Sequence, residues 1–130
     1  MFRYLSRDWL AALGDEAARS DEVRAAAAGC TIGLTQVVTD GPEGDVTYHL
    51  QVADGGVGFG PGPAASEDVR FVQDWDTAVA VATGALNAQE AFLRGRITMT
   101  GDQHRLVDAQ AVLAVLEKVL LPVREATRYA

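Results

Sequence analysis

Residues 74–102, DWDTAVAVATGALNAQEAFLRGRITMTGD, leave the chain little choice of local structure. Asp74 can cap a helix, because a carboxylate oxygen accepts the orphan N–H groups of a first turn. Gly84 can end that helix, since glycine tolerates the positive φ a helix stop often requires. Asn87 followed by Glu90 is a capping-box-like start for a second short helix, and Gly95 supplies its stop. From Arg96 to Thr100 the period changes to two, with Ile97 and Met99 on one side and Arg96, Thr98 and Thr100 on the other. The spacing thus predicts helix, helix and strand with an apolar face. No catalytic group stands in a working arrangement within it.

The rest of the chain supplies partners for that face. Leu5, Trp9, Leu13 and Ala17 recur at helical spacing behind Ser6 or Asp8, and Ser20-Asp21-Glu22 opens a second helix that Gly29 ends. Strand alternation follows, with Ile32, Leu34 and Val38 on one face, then Val46, Tyr48, Leu50 and Val52 opposed to Thr47, His49 and Gln51. The turn-rich TDGPEGD between these runs predicts a hairpin, and Asp54-Gly55-Gly56 predicts a second turn into a third strand carrying Val57 and Phe59. GPGPAASED reads as a loop, and DVRFVQD as a fourth strand with Val69 and Phe71 inward. HRLVDAQAVLAVLEKVLL, residues 104–121, reads as one long amphipathic helix that Pro122 ends or kinks, with VREATRYA as a surface extension. The order predicts one α+β domain over residues 1–130. It is a five-stranded, mostly antiparallel sheet with helices packed on one face.

Charge and composition remove several function classes. A formal charge of −7 with dispersed arginines gives no basic stripe to displace counterions, so nucleic acid is excluded as a partner. The same charge argues against stable association with an anionic membrane. No apolar run approaches the roughly 18 residues of a membrane span, and the start has no signal-peptide pattern. The single cysteine, Cys30, suits a reducing compartment, so a cytoplasmic location is expected. The excess of arginine over lysine and the abundance of alanine suggest a GC-rich bacterial source. His49 and His104 are too few for a zinc site, and no serine sits in a nucleophile elbow. The glycines around Gly58 lack both phosphate-loop spacing and a following helix, so no cofactor is expected. Asp74 and Asp76 diverge on a helix and serve its N-terminus.

The series Ala91-Phe92, Gly95-Arg96-Ile97, Met99 and Gly101-Asp102 resembles the sterol carrier protein type 2 family. Trp75 and Gly84 look like that family's aromatic-led helix and its glycine end, and the helix beginning near Leu106 resembles its C-terminal helix. The order of elements extends the resemblance over nearly the whole chain, although only residues 74–116 are motif-like. Arg96 stands where a lysine is common, the third strand is short and glycine-rich, and the chain ends without a Ser-Lys-Leu address. The resemblance implies a non-enzymatic domain that holds a fatty acyl chain, sterol or similar apolar molecule in a tunnel between sheet and helices.

The inward apolar residues are those any core of this layout would use. With the resemblance they become the candidate lining: Leu34, Tyr48, Leu50, Phe59 and Phe71 from strands, Trp75, Val79 and Phe92 from the middle helices. Met99 on the last strand and Leu113, Leu116 and Leu120 on the C-terminal helix complete the set. Thioethers and aromatic rings suit adaptable walls. A second reading is a filled-core module that binds itself as a homodimer or serves a partner enzyme. A third, a thioesterase-like sheet around one helix, is opposed by the helices that interrupt the strands.

Overall fold

The computed structural model describes residues 1–129. In chain order the elements are β1 (Phe2–Arg3), α1 (Arg7–Arg19), α2 (Asp21–Ala27), β2 (Ile32–Gly41), β3 (Gly44–Ala53), β4 (Gly56–Pro61) and β5 (Val69–Asp74). There follow α3 (Trp75–Ala82), α4 (Ala88–Leu93), β6 (Ile97–Gly101), α5 (Gln103–Asp108), α6 (Gln110–Val119), α7 (Leu121–Glu125) and β7 (Thr127–Arg128). Side-chain caps start most of the helices. Ser6 accepts from Trp9 N–H at 3.1 Å, Ser20 from Val23 N–H at 3.2 Å and Asp74 from Thr77 N–H at 2.8 Å. Each such cap satisfies a donor that the helix itself leaves unpaired.

Five strands form one sheet in the order β4-β3-β2-β5-β6. Every neighbouring pair is antiparallel except the central β2–β5 pair. Register places Leu34 opposite Leu50 and Val69, and Leu50 opposite Phe59. The neighbouring row runs Tyr48, Gln36, Phe71, Met99. Strand alternation sends all of these side chains to one face. Helices cover that face, with α1 and α2 over the β4 side, α3 over β2 and β5, and α4 beside β6. Ile32, Val38 and Val52 are fully buried beneath them together with Val23 and Val112. Burial of each such side chain contributes ~1.5–3 kcal/mol.

The opposite face is polar and is partly roofed by residues 62–68. Ala64 N–H donates to the buried Thr35 hydroxyl at 3.0 Å, and Gly33 N–H donates to the Asp68 carboxylate at 2.8 Å. Gly33 is required here. A Cβ at that position would lie 2.0 Å from the Ser66 carbonyl oxygen. Asp68 also holds the far end of the sheet, accepting from Asp102 N–H at 2.8 Å through its carbonyl.

Two expectations need correction. The continuous helix over 104–121 is three helices, with joints at Ala109 and Leu120. Ala109 N–H bonds back to both Arg105 and Leu106, which tightens the turn, and its methyl is fully buried. Pro122 lies two residues past the cap that ends α6 at Leu120 and falls in the first turn of α7, where its missing N–H costs nothing, so it marks both the end of one helix and the start of the next. The tail is not a surface extension. Val123 and Thr127 are buried, and β7 pairs in parallel with β1 through Phe2 N–H to Ala126 O (2.7 Å) and Tyr4 N–H to Arg128 O (2.9 Å). Tyr4 sits at the centre of this clasp, with ring centroids 5.0 Å from Trp9, 5.5 Å from Trp75 and 4.9 Å from Tyr129.

Candidate functional site

Over the β5–β6 side of the sheet the helices stand apart, leaving a cleft of about 700 Å³ that opens to solvent. Phe71, Met99 and Ile97 form its floor together with Gln36 and Gln73. Val81 of α3 and Ala88, Gln89, Phe92 and Leu93 of α4 make one wall; Gln103, Leu106 and Val107 of α5 make the other. The local sequence explains the gap. Asn87 accepts from Gln89 N–H at 2.8 Å and starts α4 anew, so α3 and α4 are two short pieces and not one rod lying flat on the sheet. Gly84 at φ +81° and Gly95 at φ +75° end the two pieces in the left-handed region that glycine adopts readily. On the other side, Asp102 accepts from Arg105 N–H at 3.2 Å and opens α5 at the edge of the sheet.

The chemistry of the lining is uniform. None of the thirteen described residues that line the cleft is ionisable, and every polar one is a glutamine. The rim is apolar and exposed: Phe92 is 45 %, Leu93 84 % and Val107 59 % accessible. This exposed apolar edge is continuous with a floor that is apolar except for Gln36 and Gln73. Arg96 is not part of the lining; its Nε–H donates to the Thr77 hydroxyl at 3.1 Å and ties the start of β6 to α3. Two other hollows differ in kind. One of about 220 Å³ beside the terminal clasp includes Arg3, Glu43 and Arg128, and one of about 920 Å³ between α4 and α7 includes Glu117, Arg124 and Glu125.

The residues singled out in the sequence fall into three places. Phe71, Phe92 and Met99 line the cleft. Trp75 borders the small hollow at the clasp. Leu34, Leu50, Leu116 and Leu120 are buried in the packed core, while Tyr48, Phe59, Val79 and Leu113 are half-buried against it. Burial pushes the Tyr48 hydroxyl up to about 12 and the Tyr4 hydroxyl higher still. Sequence reasoning missed Gln36 and Gln73. Each occupies an inward strand position between apolar neighbours, and that break in the alternation was the available signal. The joint at Ala109 also matters: α6 carries Val112 and Leu116 into the core, and it is α5 that reaches the cleft. Among the described residues, no group of three or more His, Cys, Asp or Glu side chains could hold a metal ion. Nor is any helix there long and apolar enough to cross a membrane.

The model of the SCP-2 sterol transfer family matches residues 10–114. A crystal structure of sterol carrier protein 2 superposes with a TM-score of 0.70 at 23% identity, covering 94% of this chain and 98% of that one. The solution structure of a conserved hypothetical protein from Thermus thermophilus gives 0.65 at 23% identity, over 88% of each chain. The palmitated SCP2L2 of Aedes aegypti gives 0.58 at 15% identity, covering 80% of this chain and 90% of that one. No curated protein matches the chain. At these identities the structural likenesses establish the fold.

Proposed function

Because the chain belongs to the SCP-2 sterol transfer family, we propose that it is a non-enzymatic carrier that buries an apolar small molecule in the cleft over β5 and β6. The observation that carries this reading is the uncharged lining around Phe71, Phe92 and Met99, continuous with an exposed apolar rim. A volume of about 700 Å³ falls within the ~300–1,000 Å³ typical of small-molecule sites. Each ligand methylene taken out of water contributes ~0.8 kcal/mol. A fatty acyl chain or a sterol therefore recovers the translational and rotational freedom lost on binding without any charged contact. The Aedes aegypti fold neighbour is described as palmitated, which supports an acyl-sized occupant for this architecture. The whole chain acts as one carrier domain on this reading.

Two measurements test it together. An organic extract of the purified protein, analysed by mass spectrometry, should contain a stoichiometric apolar compound. Nile red, an uncharged fluorophore that brightens in apolar surroundings, should bind the delipidated protein saturably with one site. An empty extract combined with non-saturable Nile red fluorescence would refute the carrier reading. The same result together with self-association in light scattering would favour a filled-core interaction module that uses Leu93 and Val107 as contacts.

A further inference from the structure

We propose that Gln36 and Gln73 select the head group of the ligand, favouring a neutral group that both donates and accepts a hydrogen bond, a hydroxyl foremost, over an ionised carboxylate. This rests on the cleft being a ligand site. Gln36 lies on β2 in register with Phe71, and Gln73 lies on β5 in register with Val38 and Ile97. Both side chains reach the floor of an otherwise apolar surface, where Gln73 Nε2 donates to Gln36 Oε1 at 3.3 Å.

The hydrogen-bond inventory decides what the pair can hold. A carboxamide has an oxygen with two lone pairs and an NH₂ with two donors. The mutual bond uses one donor of Gln73 and one lone pair of Gln36. The Gln36 NH₂, the second Gln73 N–H and the Gln73 carbonyl then remain available to the cleft. Turning both amides over exchanges the two roles and leaves the same complement. An alcohol matches it, since its oxygen accepts from the NH₂ while its hydrogen goes to the carbonyl. A carboxylate can only accept, so it leaves the carbonyl of Gln73 without a donor. It would also bring its charge to a floor whose lining residues carry no cation, and an unpaired charge moved out of water is strongly disfavoured. The other two glutamines of the lining, Gln89 and Gln103, sit on opposite walls and are likewise uncharged.

The site reads head-group chemistry against a constant tail, so the probes are decan-1-ol and sodium decanoate. Each is used to displace Nile red from the full chain at a pH of about 8, well above the carboxylate range. The wild-type protein should release Nile red to decan-1-ol at a concentration about tenfold lower than to decanoate, the worth of one to two net hydrogen bonds. The Gln36→Leu/Gln73→Leu variant keeps the volume and removes the amides, and in it the alcohol should lose its hydrogen-bonding advantage over an aliphatic ether of equal length. Equal displacement by alcohol and decanoate in the wild type overturns the proposal without recourse to any variant. An alcohol preference over the ether that survives in a folded double variant overturns it as well, while leaving the carrier reading intact. Nile red that fails to bind the wild type, together with an empty organic extract, refutes the carrier reading and takes this proposal with it.

Discussion

Replacing Gly33 by alanine should cost this fold about 2–4 kcal/mol, through the loop on the polar face and not through the core. The added Cβ would meet the Ser66 carbonyl oxygen at 2.0 Å and its carbon at 2.9 Å, both backbone atoms that no rotamer change can move aside. Residues 62–68 must therefore lift away from the sheet. Lifting them strains or breaks three hydrogen bonds: Gly33 N–H to the Asp68 carboxylate (2.8 Å), Asp68 N–H to Gly33 O (2.8 Å) and Ala64 N–H to Thr35 Oγ1 (3.0 Å). Each is worth ~0.5–1.5 kcal/mol net, and the buried Thr35 hydroxyl is left with less compensation. For a chain of 130 residues the unfolding entropy makes Tm fall by about 4 °C per kcal/mol, so a drop of about 8–16 °C is expected. Gly14 supplies the control. It lies inside α1, and an added methyl there would have nothing within 4 Å, so Gly14→Ala should stabilise the protein by ~0.5–1 kcal/mol. Urea unfolding followed by circular dichroism reads both variants on one scale. A Gly33→Ala protein within about 1 kcal/mol of the wild type would refute the steric argument.

Filling the cleft should weaken uptake without unfolding the chain. Ala88 is exposed on α4 and lines the cleft, so Ala88→Trp should weaken Nile red binding by about tenfold or more, as expected when apolar contact area is lost, with an almost unchanged Tm. Unaltered binding in that variant would place the ligand elsewhere. Alkaline unfolding should report the tyrosines. Tyr4, Tyr48 and Tyr129 all have hydroxyls raised above the ordinary value, first of all by burial, Tyr48 to about 12. Since the folded value exceeds the unfolded one, their contribution to stability is complete below about pH 10 and is lost as the pH rises through the folded value. Phenolate absorbance should therefore appear together with loss of the circular dichroism signal. Ionisation of all three near the ordinary value with the fold intact would contradict the burial of Tyr4.

Much of the fold was legible because local chemistry and tertiary placement agree. Ser6, Ser20, Asp74 and Asn87 cap helices in both sequence and structure, and the inward rows through Leu34, Leu50, Val69 and Met99 follow from strict alternation. Pro122 signalled the second joint, but the whole of the joint at Ala109 and the exact break at Leu120 were hidden for a physical reason. Both residues stay in the right-handed region, at φ −90°, ψ 0° and φ −85°, ψ −1°, so neither needs a glycine and the apolar periodicity runs through them. The pairing of β1 with β7 was hidden because two-residue strands carry no period, and their partners lie at opposite ends of the sequence. The cleft was the least legible part. Met99 and Leu116 are equally apolar, yet one lines the cleft and the other is 3 % exposed in the core. Hydropathy cannot separate them, because the difference is made by where α4 and α5 part. Gln36 and Gln73 could have marked the place, being the polar interruptions of rows that are otherwise apolar.

The terminal clasp has a mechanical consequence. Because β1 and β7 run parallel, a force pulling the first and last described residues apart acts along the strands in opposite directions. The two bonds, from Phe2 to Ala126 and from Tyr4 to Arg128, are then sheared together and not unzipped in turn. Tyr4, held among Trp9, Trp75 and Tyr129, is the peg that resists the sliding. Once it slips, the load passes to α1 and α7, which pack against each other. Tension on the ends would thus loosen the clasp first and reach the strands that floor the cleft last.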